Sequence, residues 1–361
     1  MDSRERVTRA VEFKGPDRIP IYQCYLPRAL LAHGGKLIEI LSEYPHDFGS
    51  SQELVWDSGK DIEETVKELE ELEQRNQDQY YTDDWGSVWK ENTVGIEGQV
   101  IEPFLEDWDD MEDLQVPEII PNSEEFEQEK KNIESQKEGG FVIGSFDSRY
   151  GSFIGGFSLF QRLFWLRGME NLFKDLIRGD ERLEELKNIV MDYLRDSIQK
   201  ALDLGVDGIF FADDWGGQDR LLIKPNIWRE FFKPEYDELF RLVHSRDRKV
   251  FFHSDGNILE IIPDLVELGV DVLNPQFSAM DLGKLSNLTR GKVCILTDLD
   301  RQNLLPKGSP AEIEDHIIEV INLFSTCNGG IIGRGEIGPD VPLRNVKAMF
   351  EAWLKHGVYD N

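Results

Sequence analysis

Cysteine is scarce in this sequence: Cys24, Cys294 and Cys327 are the three present in 361 residues, and no two of them form a C-x-x-C pair. That spacing excludes a disulfide framework and fits a reducing compartment. No apolar run reaches the roughly 18 residues of a membrane span. The opening Met1-Asp-Ser-Arg-Glu-Arg6 also lacks the apolar stretch of a secretory signal, so the expected location is the cytoplasm, with no membrane partner. Positive charge is in deficit. Forty Lys and Arg stand against 70 Asp and Glu, a formal net charge of −30, and a surface of that sign repels nucleic-acid phosphates. No low-complexity tract, long Ser/Gly linker or tandem repeat divides the chain, so residues 1–361 are expected to form one elaborated domain.

What the sequence does hold is a series of apolar runs that end abruptly in polar, ionisable residues. Lys249-Val-Phe-Phe-His-Ser-Asp-Gly-Asn257 is the clearest. The pattern recurs in Gly208 to Asp214, Val270 to Gln276, Val293 to Asp300 and Gly330 to Glu336. Apolar runs of this kind read as covered parallel strands, and a parallel barrel assembles its active site from the carboxyl ends of several strands. Between them lie helical patterns at Asp180 to Leu204, Pro225 to His244, Asn257 to Leu268 and Pro310 to Phe324. Leu204-Gly-Val-Asp207 and Leu268-Gly-Val-Asp271 each read as a helix closed by glycine and followed by a strand. The alternation predicts an α/β fold, a TIM (β/α)8 barrel with an N-terminal extension and an acidic insertion.

The extension is a helix over Ser3 to Glu12, followed by a loop entering a short strand at Pro16 to Tyr22. The insertion, residues 55–135, carries Thr82 to Trp89 and Gly95 to Ile101, which read as a β-rich unit with an aromatic cluster, expected to act as a lid over the barrel mouth. Its acidic stretches, Asp61 to Glu73 and Glu102 to Glu138, read as solvated helical faces.

His253 and Asp255 stand two apart at a strand end, so both side chains point to one side, into the mouth of the barrel. They suit a metal or a proton relay, while Asp255-Gly-Asn257 also reads as a cap for a helix starting at Ile258. Asp298 and Asp300 repeat the spacing on a later strand, and Glu336 sits on a Gly-rich turn. Convergent carboxylates raise one another's pKa or are neutralised by a divalent cation. Cys294 and Cys327 fall at the wrong end of the barrel for soft metal ligation. The candidate catalytic residues are therefore His253, Asp255, Glu336 and Asp214, and the candidate metal ligands His253, Asp255 and Glu336. Asp84, Trp85, Asp213, Trp215, Asn274, Gln276 and Asp298 are expected to bind substrate. Asp213 and Asp214 read equally as capping groups paired with Arg220 or Arg229. Trp85, Trp89, Trp108 and Trp215 read either as the lining of a pocket for an aromatic or macrocyclic ligand or as core.

Several separated blocks, in order, resemble the uroporphyrinogen decarboxylase superfamily. They are Ser3-Arg-Glu-Arg with Pro16-Asp-Arg-Ile-Pro, Asp213-Asp-Trp-Gly with Trp228-Arg-Glu-Phe-Phe-Lys-Pro234, Phe252-His-Ser-Asp-Gly-Asn257 with Ile262-Pro-Asp-Leu, and Gly329-Gly with Pro339-Asp-Val-Pro342 and Asn345-Val-Lys347. The resemblance spans nearly the whole chain and implies a TIM barrel with its cleft at the strand C-termini. The superfamily holds both haem-pathway decarboxylases and corrinoid-dependent methyltransferases. The decarboxylases carry Arg-Gln-Ala-Gly-Arg after the first strand to bind substrate carboxylates. Here Gln23-Cys-Tyr-Leu-Pro-Arg28 stands in that place, and only Arg28 matches in kind. The methyltransferases carry a zinc motif, His-x-Cys, with a late Cys near the position of Gly335 and Glu336. His253 matches the histidine, Asp255 replaces the first cysteine, and Glu336 is the nearest candidate for the last ligand.

The resemblance therefore implies a methyltransferase that moves a methyl group from a small methylated or methoxylated substrate to a corrinoid. The cofactors it implies are a corrinoid on a partner protein and, as an option, zinc. The partners are a small-molecule substrate, the corrinoid protein and, again as an option, a second copy of the chain. Two alternatives stand beside this reading: a decarboxylase acting on uroporphyrinogen or a related tetrapyrrole, and a non-enzymatic corrinoid- or tetrapyrrole-binding protein.

Overall fold

The computed structural model describes residues 1–49, 67, 79–91, 98–119, 122–144 and 158–359. Eleven short strands are assigned: β1 (Cys24–Tyr25), β2 (Gln79–Thr82), β3 (Val88–Glu91), β4 (Gln99–Glu102), β5 (Ile143–Gly144), β6 (Gly208–Ala212), β7 (Lys249–Ser254), β8 (Val272–Pro275), β9 (Cys294–Leu296), β10 (Ile331–Ile332) and β11 (Glu336–Ile337). β5 to β10 form a six-stranded parallel sheet in sequence order. Two further chain segments, reduced to single bridges, close it. Ile21 pairs with Gly333 beyond β10, and Phe48 pairs with Phe141 before β5. Asp47 N donates to Ile21 O at 3.0 Å and joins the two segments to each other. Six strands and two bridges complete the eight positions of a (β/α)8 barrel, as the strand-end pattern predicts.

Alternation along each strand sorts the core into two layers. Ile143, Phe251, Val272, Cys294, Leu296 and Ile332 share an inner cluster with Phe48 and Phe141, while Ile209, Phe211, Val250, Phe252, Leu273 and Ile331 face the helices. Val7 and Val11 belong to the inner cluster as well. The opening helix, Ser3–Val11, therefore plugs the N-terminal end of the barrel with its apolar face. Cys294 is an inner-layer packing residue, as its position in the strand implies.

The outer helices follow their sequence patterns with two differences. The helix expected over Pro225 to His244 is broken into Pro225–Phe231 and Lys233–His244. Pro234 lies in the first turn of the second piece, where proline is tolerated, but it cannot donate within a continuing helix. In that piece Tyr236, Leu239, Phe240 and Val243 are buried, the i, i+3, i+4, i+7 stripe of a helix laid on the sheet. The helix expected to begin near Asn257 begins at Ile262, with Pro263 in its first turn. Asn257 instead accepts weakly from Leu259 N at 3.3 Å in a turn.

The described part of the insertion is β-rich, as expected. β2, β3 and β4 form an antiparallel sheet whose turn is fixed by Asp83. Asp83 Oδ1 accepts from Trp85 N and Ser87 N, and its Oδ2 from Trp89 Nε1. The sheet lies against the helices Phe160–Arg167 and Glu181–Leu204 through Trp89 on Trp165 and Trp85 on Tyr193. Most of the acidic stretch Asp61 to Glu73 lies outside the described residues. The second acidic stretch includes the helix Ser123–Gly139, of which Ile133 is the buried residue, in keeping with a solvated face. No described helix is long and apolar enough to cross a membrane.

Candidate active site

Continuing the inward alternation past the strand ends yields the site. Inside the barrel mouth, Asp214 follows Phe210, His253 and Asp255 follow Phe251, Asn274 follows Val272, Asp298 follows Leu296, and Arg334 and Glu336 follow Ile332. Parallel pairing puts them at one level. His253 is in register with Asn274 and Ala212, and Asp213 N donates to His253 O at 3.1 Å.

His253 Nδ1 lies 2.8 Å from Asn274 Oδ1 and 3.0 Å from Asn274 O. Asn274 Nδ2 donates to Leu296 O at 2.8 Å, which fixes the amide so that its oxygen faces the ring. Two acceptors around Nδ1 require the proton there. The lone-pair side, Nε2, then faces Asp255 Oδ1 at 3.6 Å and Asp214 Oδ1 at 3.8 Å. Asp255 Oδ1 is buried without a hydrogen-bond partner. A ring lone pair facing two carboxylates is repulsive unless Nε2 is protonated or a cation lies between them. These atoms all lie within 4.8 Å of one another, a spacing that suits a divalent cation. Nitrogen and carboxylate donors are acceptable to zinc, and an Nδ1–H bonded to a carbonyl is the usual support of a ligating histidine.

The site is braced by two arginines that sequence reasoning passed over. Arg301 Nη2 donates to Asp255 Oδ2 at 2.8 Å and Nη1 to Glu336 Oε1 at 3.1 Å. Arg334 Nη1 reaches Asp298 Oδ1 at 3.2 Å, and Nη2 reaches Glu336 Oε2 at 3.3 Å and Cys24 Sγ at 3.4 Å. Glu336 is thereby held by two guanidinium groups, and Asp214 takes the third position beside His253 and Asp255 that the sequence gave to Glu336. Arg334 occurs two residues before Glu336 and shares its inward parity, a signal that was available in the sequence. Arg301 stands on the loop after β9, where no periodicity applies.

Burial pushes Asp298 above the ordinary carboxylate range, against the pull of Arg334 and Arg301. Burial likewise raises the Cys24 thiol, with Arg334 opposing it. A protonated thiol is a poor zinc ligand. Asp300 caps its own loop by accepting from Gln302 N and Asn303 N.

Asp213 faces the opposite way from Asp214. It is fully buried and accepts from Leu159 N at 2.9 Å, Gln161 N at 2.8 Å and Tyr236 Oη at 2.6 Å. Burial pushes its carboxyl up to about 7, opposed by these hydrogen bonds. Its contacts anchor the helix Phe160–Arg167 and place Gln161 Nε2 3.0 Å from Asp214 Oδ2. Neither aspartate pairs with Arg229, which binds Asp264.

Other residues expected to bind substrate have structural work instead. Trp215 is fully buried, its ring 4.1 Å from that of Phe160. Trp85 is buried between Tyr193 and the Arg162 guanidinium. Trp89 and Trp108 are core as well. Asp84 is exposed on the turn between β2 and β3. Asn274 orients His253, and Gln276 Oε1 accepts from Gly256 N at 2.7 Å to hold the turn after β7.

The family model for uroporphyrinogen decarboxylase (URO-D) matches residues 95–356. The chain belongs to this family. Its members are enzymes, and the catalytic end of the barrel coincides with the cluster around His253. A methyltransferase from Methanosarcina mazei shares the fold at 15% identity, covering 98% of this chain and 99% of its own, with a TM-score of 0.65. At that identity the likeness speaks to the fold. A dihydropteroate synthase from Anaplasma phagocytophilum overlaps in part, at 17% identity over 44% of this chain and 64% of its own, with a TM-score of 0.31. No curated protein matches the URO-D family chain described here.

Proposed function

We propose that this URO-D family enzyme transfers a methyl group from a small methylated or methoxylated substrate to a corrinoid carried by a partner protein. The observation that carries the reading is the charge of the cleft. His253 Nε2 and two carboxylates face inward, while the braces Arg301 and Arg334 are bound to Asp255, Glu336 and Asp298. A tetrapyrrole bearing many carboxylates needs positive charge to receive it. This cleft instead offers oxygen acceptors and one imidazole, which favours a neutral or cationic methyl donor over uroporphyrinogen. The full-length likeness to a methyltransferase is in keeping with that choice.

Losing a methyl group from an ether leaves a developing alkoxide or phenoxide, which has to be stabilised. A proton on His253 Nε2, with Asp214 and Asp255 beside it, supplies general-acid assistance worth about 10²–10⁴-fold. His253, Asp214 and Asp255 are also the residues that would hold a divalent cation, which would polarise the leaving oxygen as a Lewis acid. Asn274 fixes the ring, and Arg301 fixes Asp255. The thiolate set of the zinc methyltransferases is not reproduced among these residues, so no thiol acceptor is proposed.

The test is incubation of the purified chain with reduced cobalamin and a panel of methoxylated aromatics and methylated amines. Methylated cobalamin and the demethylated product are the readouts. The expected result is turnover of at least one donor, lost in His253→Ala. Carbon dioxide release from uroporphyrinogen would favour the decarboxylase instead. Corrinoid binding without turnover, unaltered in His253→Ala, would point to a binding protein.

A further inference from the structure

The end of the barrel opposite the cleft carries an unusual arrangement for so acidic a chain. Arg4, on the plugging helix, donates from Nε to Asp207 Oδ1 at 3.0 Å, and Asp207 Oδ2 accepts from Val142 N at 3.1 Å. Lys137, in the last turn of the helix Ser123–Gly139, brings its ammonium so close to Gly205 that a side-chain carbon there would lie 3.3 Å away. Beside them opens a groove of about 850 Å³, lined by Arg4, Arg9, Lys14 and Lys137 among others. Arg9 is paired with Glu5 and Lys14 with Glu12. Among the described residues, neither Lys137 nor nearby Arg248 has a carboxylate within ion-pair distance.

We propose that Lys137 is a modification site, whose amine takes the acyl group of an acyl phosphate drawn into this groove. Arg4 and Arg248 provide the attraction for the anionic donor, and the open groove gives it access. The same surroundings favour the free amine. Burial lowers the Lys137 pKa and the charges of Arg4 and Arg248 lower it further, with Asp207 and Glu134 opposing. In the reaction the amine nitrogen bonds to the acyl carbon, and the carbon–oxygen bond to phosphate breaks. Phosphate leaves with the electron pair, and the nitrogen loses its proton to solvent. The product is a neutral amide, which relieves the repulsion among the three cations.

The experiment is incubation of the full chain with acetyl phosphate, followed by peptide mass spectrometry over time. Lys131, exposed on the same helix, is the internal reference. Lys137 is expected to be acetylated several-fold faster than Lys131, with that lead reduced in Arg248→Gln and in Arg4→Gln. Arg4 holds a buried carboxylate, so if Arg4→Gln fails to fold, Arg248→Gln carries the test. Equal rates at Lys137 and Lys131, or a lead untouched by Arg248→Gln, would overturn the proposal.

Discussion

Arg301 holds one oxygen of Asp255 and leaves the other to His253: Nη2 lies 2.8 Å from Oδ2, while Oδ1 has no hydrogen-bond partner and lies 3.6 Å from His253 Nε2. A carboxylate fixed in this way has one oxygen committed to structure and one directed at the reacting group, the arrangement expected of a braced ligand or proton acceptor.

Asp214, His253 and Asp255 form the grouping suited to a cation, whereas Glu336 is committed to Arg301 and Arg334. Elemental analysis after equilibration with zinc is expected to find about one metal per chain, in line with a single three-ligand site. His253→Ala and Asp214→Asn are expected to lose it, and Glu336→Gln to keep it. Loss in Glu336→Gln with retention in Asp214→Asn would return Glu336 to the ligand set.

Arg334 has a nearly buried side chain between Asp298 and Glu336. Removing one partner of a buried ion pair strands the other charges, a cost of about 3–5 kcal/mol. Urea denaturation of Arg334→Met is expected to show a loss of that order. Lys347→Met, which breaks an exposed pair with Glu43, is expected to leave the midpoint nearly unchanged.

Gly256 follows Asp255 with φ of +78°, and a Cβ there would meet Gly216 O at 2.0 Å. Both the left-handed backbone and the contact with another backbone reject a side chain. Gly256→Ala is expected to cost more than about 1 kcal/mol and to displace Asp255. A wild-type denaturation midpoint with full activity would show that the turn tolerates the change.

Asp213, pushed up to about 7 from an ordinary 3.8, binds its proton more tightly in the folded chain than in the unfolded one. Its stabilising contribution is therefore complete below the unfolded value and is lost as pH rises toward 7. The stability of the native protein relative to Asp213→Asn is expected to fall across that window, by at most about 1.4 kcal/mol per pH unit, and to level off above it. A difference that stays flat between pH 5 and 7 would place Asp213 as a permanent carboxylate.

The sequence made the barrel legible because covered strands and amphipathic helices are periodic, and the period survives in one dimension. β6, β7, β8 and β9 all fall inside apolar runs read as strands, and His253 and Asp255 share a face because the strand repeat is two. The same repeat separates Asp213 from Asp214, yet both were expected in the cleft. Adjacent residues at a strand end face opposite ways, and Asp213 turns to Tyr236. The tryptophans were ambiguous for a different reason, since a large ring suits a pocket wall and a core alike. Burial of Trp215 against Phe160 settles its place.

By itself the sequence determined the alternation of strand and helix, the end of the barrel that carries chemistry, the His253–Asp255 pair and the shortage of thiols for a soft metal site. Tertiary structure alone decided who stands beside that pair. Asp214 arrives from β6, Arg301 from the loop after β9, and Arg334 and Glu336 from the chain between β10 and β11, each brought there by barrel closure. Which carboxylate faces the imidazole and which is bound by arginine depends on distances of a few ångströms between residues far apart in sequence, and no local pattern encodes those distances.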